Sequence, residues 1–200
     1  MIDIISYCRI RNNKILKDGG VVFKGEVSSL DDFMEKAYSV LNSAYPKFYK
    51  MDRLSKLGFL ASEVLLKGLT DFSAASTAIV LSNAHSSLDT DIRYWQSAKI
   101  QPSPALFVYT LPNIVGGEIC IRHGIKGENV FFVSAQFDPI WIANNVNLIL
   151  ENNRAKYCVA GWIDVMGNHA DVFLYLAKNT EGKVGNHTPE KLTELYSWKN

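Results

Sequence analysis

Apolar residues recur along the chain at two different periods, and the alternation between these periods predicts strands and helices. Residues 2–11 and 21–24 favour β-strands, with Asn12-Asn13 and Gly19-Gly20 at the turns between them. A serine at position 28 or 29 followed by acidic residues predicts a helix as far as residue 43, and Asp52 predicts a second helix that ends at Gly68. Residues 77–81 then predict a buried strand, and residues 88–97 predict another helix.

The rest of the chain continues this alternation. Prolines at positions 102 and 104 predict an extended loop, and residues 112–123 predict a helix that ends at Gly124. Residues 157–165 and 172–177 favour strands, the polar residues 179–187 a surface loop, and residues 188–196 a final helix. This order predicts a single α/β domain over residues 1–200, an αβα sandwich with a mixed, mostly parallel sheet.

The segment around Gln136 has the strongest pattern. Residues 130–133 are apolar without interruption, which predicts a central strand that is buried on both faces. Asp138 and Pro139 are typical of the start of a helix, so Gln136 is expected in the bend between this strand and a helix N-terminus. Such a bend favours chemistry on an acyl oxygen or a thiolate, yet a carboxamide cannot attack a carbonyl group. Covalent acyl catalysis at Gln136 is therefore excluded.

Ordered motifs give a resemblance to a known family. Residues 102–104 (PSP), 111–117 (LPNIVGG), 121–127 (IRHGIKG), 133–136 (VSAQ) and 159–161 (VAG) follow one another as in the N-terminal half of β-ketoacyl synthases, and residues 50–54 (KMDRL) resemble the helix start that precedes them. The resemblance covers residues 46–178 and implies one half of the thiolase fold. In that family the residue that matches Gln136 is the cysteine that carries the acyl chain.

The chain departs from this family in a second way. The half of a ketosynthase that supplies two catalytic histidines has no counterpart here, and none of the four histidines lies in a matching context. Ketosynthase-like decarboxylases with glutamine at this position keep those histidines. The best match is the chain-length factor, a non-catalytic relative that pairs with an active ketosynthase. Two alternatives stay open: a 3-oxoacyl-[acyl-carrier-protein] synthase-like acyltransferase completed by another chain, and a homodimeric acyl-binding module.

The resemblance also implies site residues. Leu111 and Ile114, together with Gln136, are expected to border the acyl cavity, with Leu111 closing the end of the partner's tunnel. The alternative for Leu111 is packing beneath Pro112 in the core. The edge of the strand that carries Asn129, Phe131 and Val133 is expected to pair with a full-length ketosynthase or with a second copy of the chain. Acyl carrier protein is a further partner that the resemblance implies.

Composition excludes other classes of function. With 21 basic and 20 acidic residues, the net charge of +1 indicates neither a nucleic-acid partner nor an anionic membrane. No secretory signal and no apolar run of membrane-spanning length are present in the sequence, which predicts a cytoplasmic protein. The three cysteines lie far apart without metal-binding spacing, so neither a metal nor another cofactor is expected.

Overall fold

A computed structural model of the chain describes residues 1–180 and 185–197. The strands are β1 (Ile2–Arg11), β2 (Lys14–Lys17), β3 (Gly20–Lys24), β4 (Thr77–Asn83), β5 (Asn129–Val133), β6 (Tyr157–Met166) and β7 (His169–Asn179). The helices are α1 (Leu30–Leu41), α2 (Arg53–Leu66), α3 (Leu88–Ala98), α4 (Pro104–Phe107), α5 (Ile114–His123), α6 (Pro139–Glu151) and α7 (Pro189–Ser197). Short 3₁₀ helices cover Pro46–Lys50, Ala74–Ser76 and Val108–Thr110.

The seven strands form one mixed sheet in the order β3-β2-β1-β7-β6-β4-β5. Strand β4 is parallel to β5 and to β6, whereas the other four pairings are antiparallel. The prediction of a mostly parallel sheet is therefore wrong. The reason is the length of the connections: β6 and β7 are joined by Gly167 and Asn168 alone, and so short a link permits only an antiparallel pair.

Helices cover both faces of this sheet, which confirms the predicted αβα sandwich. On one face α1, α2 and α5 bury their apolar sides, with Phe33, Leu60 and Ile119 in a core shared with β4, β6 and β7. On the other face α6 and α7 pack through Val146 and Leu192 in a second core. Two separate cores on opposite faces of one sheet are what an αβα arrangement requires.

Three of the predicted helix starts are confirmed by capping bonds, whereas the helix predicted from residue 112 begins at Ile114. The side chains of Ser29, Asp52 and Asp138 accept hydrogen bonds from the backbone N–H three residues further on. Two short elements differ from the prediction. Strand β2 was not predicted, and the extended loop expected at the prolines contains α4 instead. Ser103 caps α4 and Pro104 begins it, so the local signals of a helix start outweigh the extended preference of the prolines.

The polar stretch 179–187, predicted as a surface loop, is more closely packed than expected. Its residues 181–184 lie outside the described residues. Asn179 belongs to β7, and the backbone N–H of His187 donates to Ile2 O at 3.1 Å. The His187 ring is buried between the Tyr175 hydroxyl, 2.9 Å away, and Asn147 Oδ1, 2.8 Å away. Polar composition predicted exposure here, but both ring nitrogens have hydrogen-bond partners, which makes burial of His187 tolerable.

No single helix within the described ranges is long and apolar enough to cross a membrane, although α4 with Val108–Thr110 and α5 together reach the required length and composition across a bend of 102°.

Candidate functional site

The candidate site lies at the carboxyl ends of β4 and β5. These neighbouring strands are parallel, but the connections that follow them run over opposite faces of the sheet. After β4 the chain enters α3. The Thr90 hydroxyl on α3 donates a hydrogen bond of 2.6 Å to Oδ2 of Asp52, the N-cap of α2. After β5 the chain enters α6 on the opposite face. Diverging connections of this kind open a crevice beyond the strand ends, where α/β proteins bind ligands.

Gln136 lies at this crevice, in the bend that the sequence predicts. Ser134 anchors the start of the bend because its backbone N–H donates to Asn83 O at 2.9 Å. Phe137 anchors its end: the ring is buried and stacks on Tyr196 with centroids 4.4 Å apart. The Gln136 side chain between these anchors is exposed. Its carboxamide can donate or accept a hydrogen bond but cannot form an acyl intermediate.

The N-terminus of α6 is occupied by the chain itself. Asp138 Oδ1 accepts a hydrogen bond from the Trp141 backbone N–H at 2.9 Å, and Pro139 at the first helical position has no N–H to offer. A carboxylate at this place repels a developing oxyanion, whereas free N–H groups would attract it. The local charge therefore agrees with the chemistry of Gln136, since a carboxylate lies at this helix start and no nucleophile replaces the glutamine.

Two polar residues beside the crevice were not predicted as site residues from the sequence. Asp164 near the end of β6 accepts hydrogen bonds at 3.0 Å from the backbone N–H groups of Ala84 and His85. Its other oxygen lies 2.8 Å from Nδ1 of the His85 ring. The carboxylate thus holds the loop after β4 and orients the imidazole. Their shared position at the ends of adjacent parallel strands was a signal in the sequence, but pairing them required the strand order.

Strand β5 is an edge strand, so the prediction of a central strand buried on both faces is wrong. Among the described strands, β5 is bonded only to β4. An uninterrupted apolar run does not distinguish the two cases, because at an edge it can pack against helices on both faces. Phe131 packs on the α1–α2–α5 core, while Phe132 contacts Trp141 on the other side with ring centroids 3.6 Å apart.

The three predicted interface residues of β5 differ in their surroundings. The Asn129 side chain packs on α5, where a Cβ on Gly116 would come within 2.7 Å of its Oδ1. Phe131 contributes to the core of its own domain. Asn129 and Val133, at the two ends of the strand, are both exposed, and Val133 is 57% exposed, so these two interface candidates are accessible in the isolated chain.

The two predicted cavity residues beside Gln136 are also separated by their burial. Leu111, between the 3₁₀ helix and α5, is 58% exposed, so the alternative in which it packs in the core is wrong. Ile114 is half-buried and packs against the core. A depression of about 450 Å³ exists elsewhere, among the C-terminal ends of α1, α2 and α5, and no candidate residue lines it. Within the described ranges, no three His, Cys, Asp or Glu side chains could hold a metal ion together.

Solved structures share this fold. The ishigamide ketosynthase/chain length factor is similar with a TM-score of 0.66 and 14% identity, over 90% of this chain and 63% of that one. A ketosynthase (ApeO) in complex with its chain length factor (ApeC) from Xenorhabdus doucetiae gives a TM-score of 0.59 and 14% identity, over 98% of this chain and 90% of the matched one. A β-ketoacyl synthase from Burkholderia phymatum gives 0.58 and 9%, over 90% and 59%.

These similarities identify the fold as that of ketosynthases and chain-length factors. The chain spans less than two thirds of the matched ishigamide and Burkholderia chains but nearly the whole of the matched Xenorhabdus chain. No protein-family model matches the sequence. No curated protein matches it either.

Proposed function

We propose that the chain is a non-catalytic ketosynthase-like subunit of the chain-length-factor type, which pairs with an active β-ketoacyl synthase in fatty-acid or polyketide-type synthesis. The observation that carries this proposal is Gln136, a carboxamide in the bend between β5 and α6 of a ketosynthase-like fold. A subunit that cannot form an acyl intermediate contributes to synthesis through its partner. The acyl chain is then carried by the cysteine of that partner.

The open edge of β5 supports pairing. Backbone N–H and C=O groups along this edge have no strand beside them among residues 1–180 and 185–197, and such an edge is a liability unless another chain covers it. The exposed Val133 at its end would be buried by a neighbouring strand. A partner that adds a strand here extends the sheet across the interface.

The length of one matched chain also supports this type of subunit. One of the matched chains belongs to a ketosynthase–chain length factor complex and is spanned to 90% by this chain. A domain of about this size is thus found in an assembly of the proposed kind. In this proposal acyl carrier protein delivers the substrate to the partner. One similar structure is described as an acyl-carrier protein in complex with its ketosynthase.

The isolated chain should form no covalent acyl adduct and condense no acyl and malonyl carrier-protein thioesters. Gln136 cannot be acylated, and burial raises the pKa of the Cys8, Cys120 and Cys158 thiols, so little thiolate is available for attack. Gln136→Cys should still not condense the substrates alone, because none of the four histidines lies in the sequence context of the ketosynthase oxyanion donors, each worth about 3 kcal/mol of barrier. Intact-protein mass spectrometry and a product assay measure both expectations.

The control is the same assay with the chain co-purified with the ketosynthase encoded nearest to it, which should make product. Stoichiometric acylation of any cysteine in the wild-type chain, or condensation by the wild-type chain alone, would refute the non-catalytic function. Failure to bind the ketosynthase would refute the pairing.

Leu111→Ala should lengthen, and Leu111→Trp should shorten, the acyl products of the reconstituted pair. Leu111 is exposed beside α5, where its bulk is available to a partner's tunnel. One methylene more or less in an apolar pocket changes binding by about 1–3 kcal/mol, which shifts the product distribution without stopping turnover. Mass spectrometry of the products gives the chain lengths.

Leu111→Met keeps the volume and serves as the control, with unchanged products expected. Because Leu111 lies outside the core, all three variants should fold, and product lengths are compared for the variants that assemble. Identical chain lengths in the alanine and tryptophan pairs would end the role of Leu111 in limiting product length.

A further inference from the structure

Exposed apolar residues concentrate in one segment of the chain that precedes β5. Of the 17 exposed large hydrophobic residues in the described part of the chain, seven belong to residues 88–111. They are Leu88, Ile92 and Trp95 on α3, Ile100 in the loop after it, Phe107 on α4, and Val108 and Leu111 at the following 3₁₀ helix. We call this set the α3–α4 surface. Trp95 is 67% and Ile100 is 93% exposed, although both are large apolar side chains.

The α3–α4 surface is held together by its own packing. The Tyr94 and Phe107 rings, with centroids 5.3 Å apart, join α3 to α4. Lys99 Nζ lies 5.5 Å from the centroid of the Trp95 ring, a cation–π contact that favours this orientation of the indole. A preorganised aromatic side chain of this kind loses little conformational entropy on binding. Trp95 is therefore suited to be the central anchor of a contact.

The size of the surface is that of a protein interface. At their exposed fractions the seven side chains together present apolar area on the order of 800 Å², similar to one partner's share of a standard interface. The charges do not oppose a protein partner. Asp89 is buried against the Gly167 backbone N–H, and Asp91 accepts a hydrogen bond from Ser87, which leaves Arg93 and Lys99 exposed beside Trp95.

The α3–α4 surface is also continuous with the β5 edge. Leu111 is followed by α5, and α5 packs on β5 where Gly116 meets Asn129. A partner that pairs with β5 and extends past α5 thus reaches Leu111 next, and then α4 and α3, which are joined through Phe107 and Tyr94. We propose that the ketosynthase partner covers this surface as well, and that Trp95 on α3 is an anchor of the pairing. This inference rests on the proposed function.

The experiment measures binding of the chain to the ketosynthase encoded nearest to it, by isothermal titration calorimetry. Trp95→Ala should weaken the complex at least tenfold, and Ile92→Ser should weaken it several-fold, since aromatic anchors dominate binding energy. Leu148→Ser is the matched control, because Leu148 is an exposed aliphatic residue on α6, on the other face of the sheet. It should leave the affinity unchanged. Hydrogen exchange should show protection of residues 88–100 in the complex.

Each other outcome overturns the inference in a different way. If the wild-type chain binds and a charge at Val133 prevents binding, but Trp95→Ala has no effect and residues 88–100 stay unprotected, the pairing stands and the role of α3 fails. If Trp95→Ala abolishes self-association of the isolated chain but does not change binding to the ketosynthase, the α3–α4 surface binds a second copy of the chain instead. If Trp95→Ala weakens only a salt-sensitive complex with acyl carrier protein, the α3–α4 surface binds that carrier protein instead. If the wild-type chain does not bind the ketosynthase, this inference and the proposed function fail together.

Discussion

Gly161→Ala is expected to destabilise the folded chain by about 4 kcal/mol or more, which is much of the stability of a typical domain. Gly161 lies in β6 with a φ of 146°, a conformation that residues with a side chain rarely adopt. A Cβ at this position would come within 1.9 Å of the Phe173 carbonyl oxygen in β7. Since that oxygen belongs to the backbone of a paired central strand, the sheet itself would have to move.

Gly68→Ala separates strain from steric clash. Gly68 also has a positive φ, 81°, but no atom lies within 4 Å of where its Cβ would be. Only the conformational cost of about 1 kcal/mol is therefore expected. Urea unfolding followed by circular dichroism measures both variants. A Gly161→Ala chain that unfolds within about 1 kcal/mol of the wild type would show that the β6–β7 pair adjusts, contrary to this argument.

Local signals explain what the sequence predicts well. Ser29, Asp52 and Asp138 begin helices because the bond that each makes reaches only three residues along the chain. Gly124 ends α5 with a φ of 70°, again a property of one residue. Strand β2 was missed because only two apolar residues lie between its terminal lysines, too few to define a period.

Properties that depend on distant parts of the chain were not predictable in this way. The pair of His85 and Asp164 spans 79 positions and exists only because β4 and β6 are neighbours. Whether β5 is central or at an edge depends on the strand order, which the apolar run does not contain. Gln136 was placed correctly in its bend because Asp138 and Pro139 mark the helix that follows.

Val133→Asp is expected to abolish pairing with the ketosynthase, with an affinity loss of more than about 100-fold, and to leave the isolated chain folded. In the free chain Val133 is exposed at the open edge of the sheet, so an aspartate there remains hydrated. In a complex that covers this edge the carboxylate would be buried without a partner, at a cost of about 3–5 kcal/mol. Calorimetric titration with the ketosynthase gives the affinity, and circular dichroism gives the fold.

The matched control is Val21→Asp at the other edge of the same sheet. Val21 belongs to β3, is 61% exposed and has the same side chain, so the substitution introduces the same charge with the same loss of strand propensity. It should leave binding unchanged, because nothing in the proposed pairing covers β3. Equal losses in both variants would assign the effect to the charge or to a weakened sheet. Undiminished binding by Val133→Asp would place the partner elsewhere than on β5, because no complex that buries this edge can accept the carboxylate without a large cost.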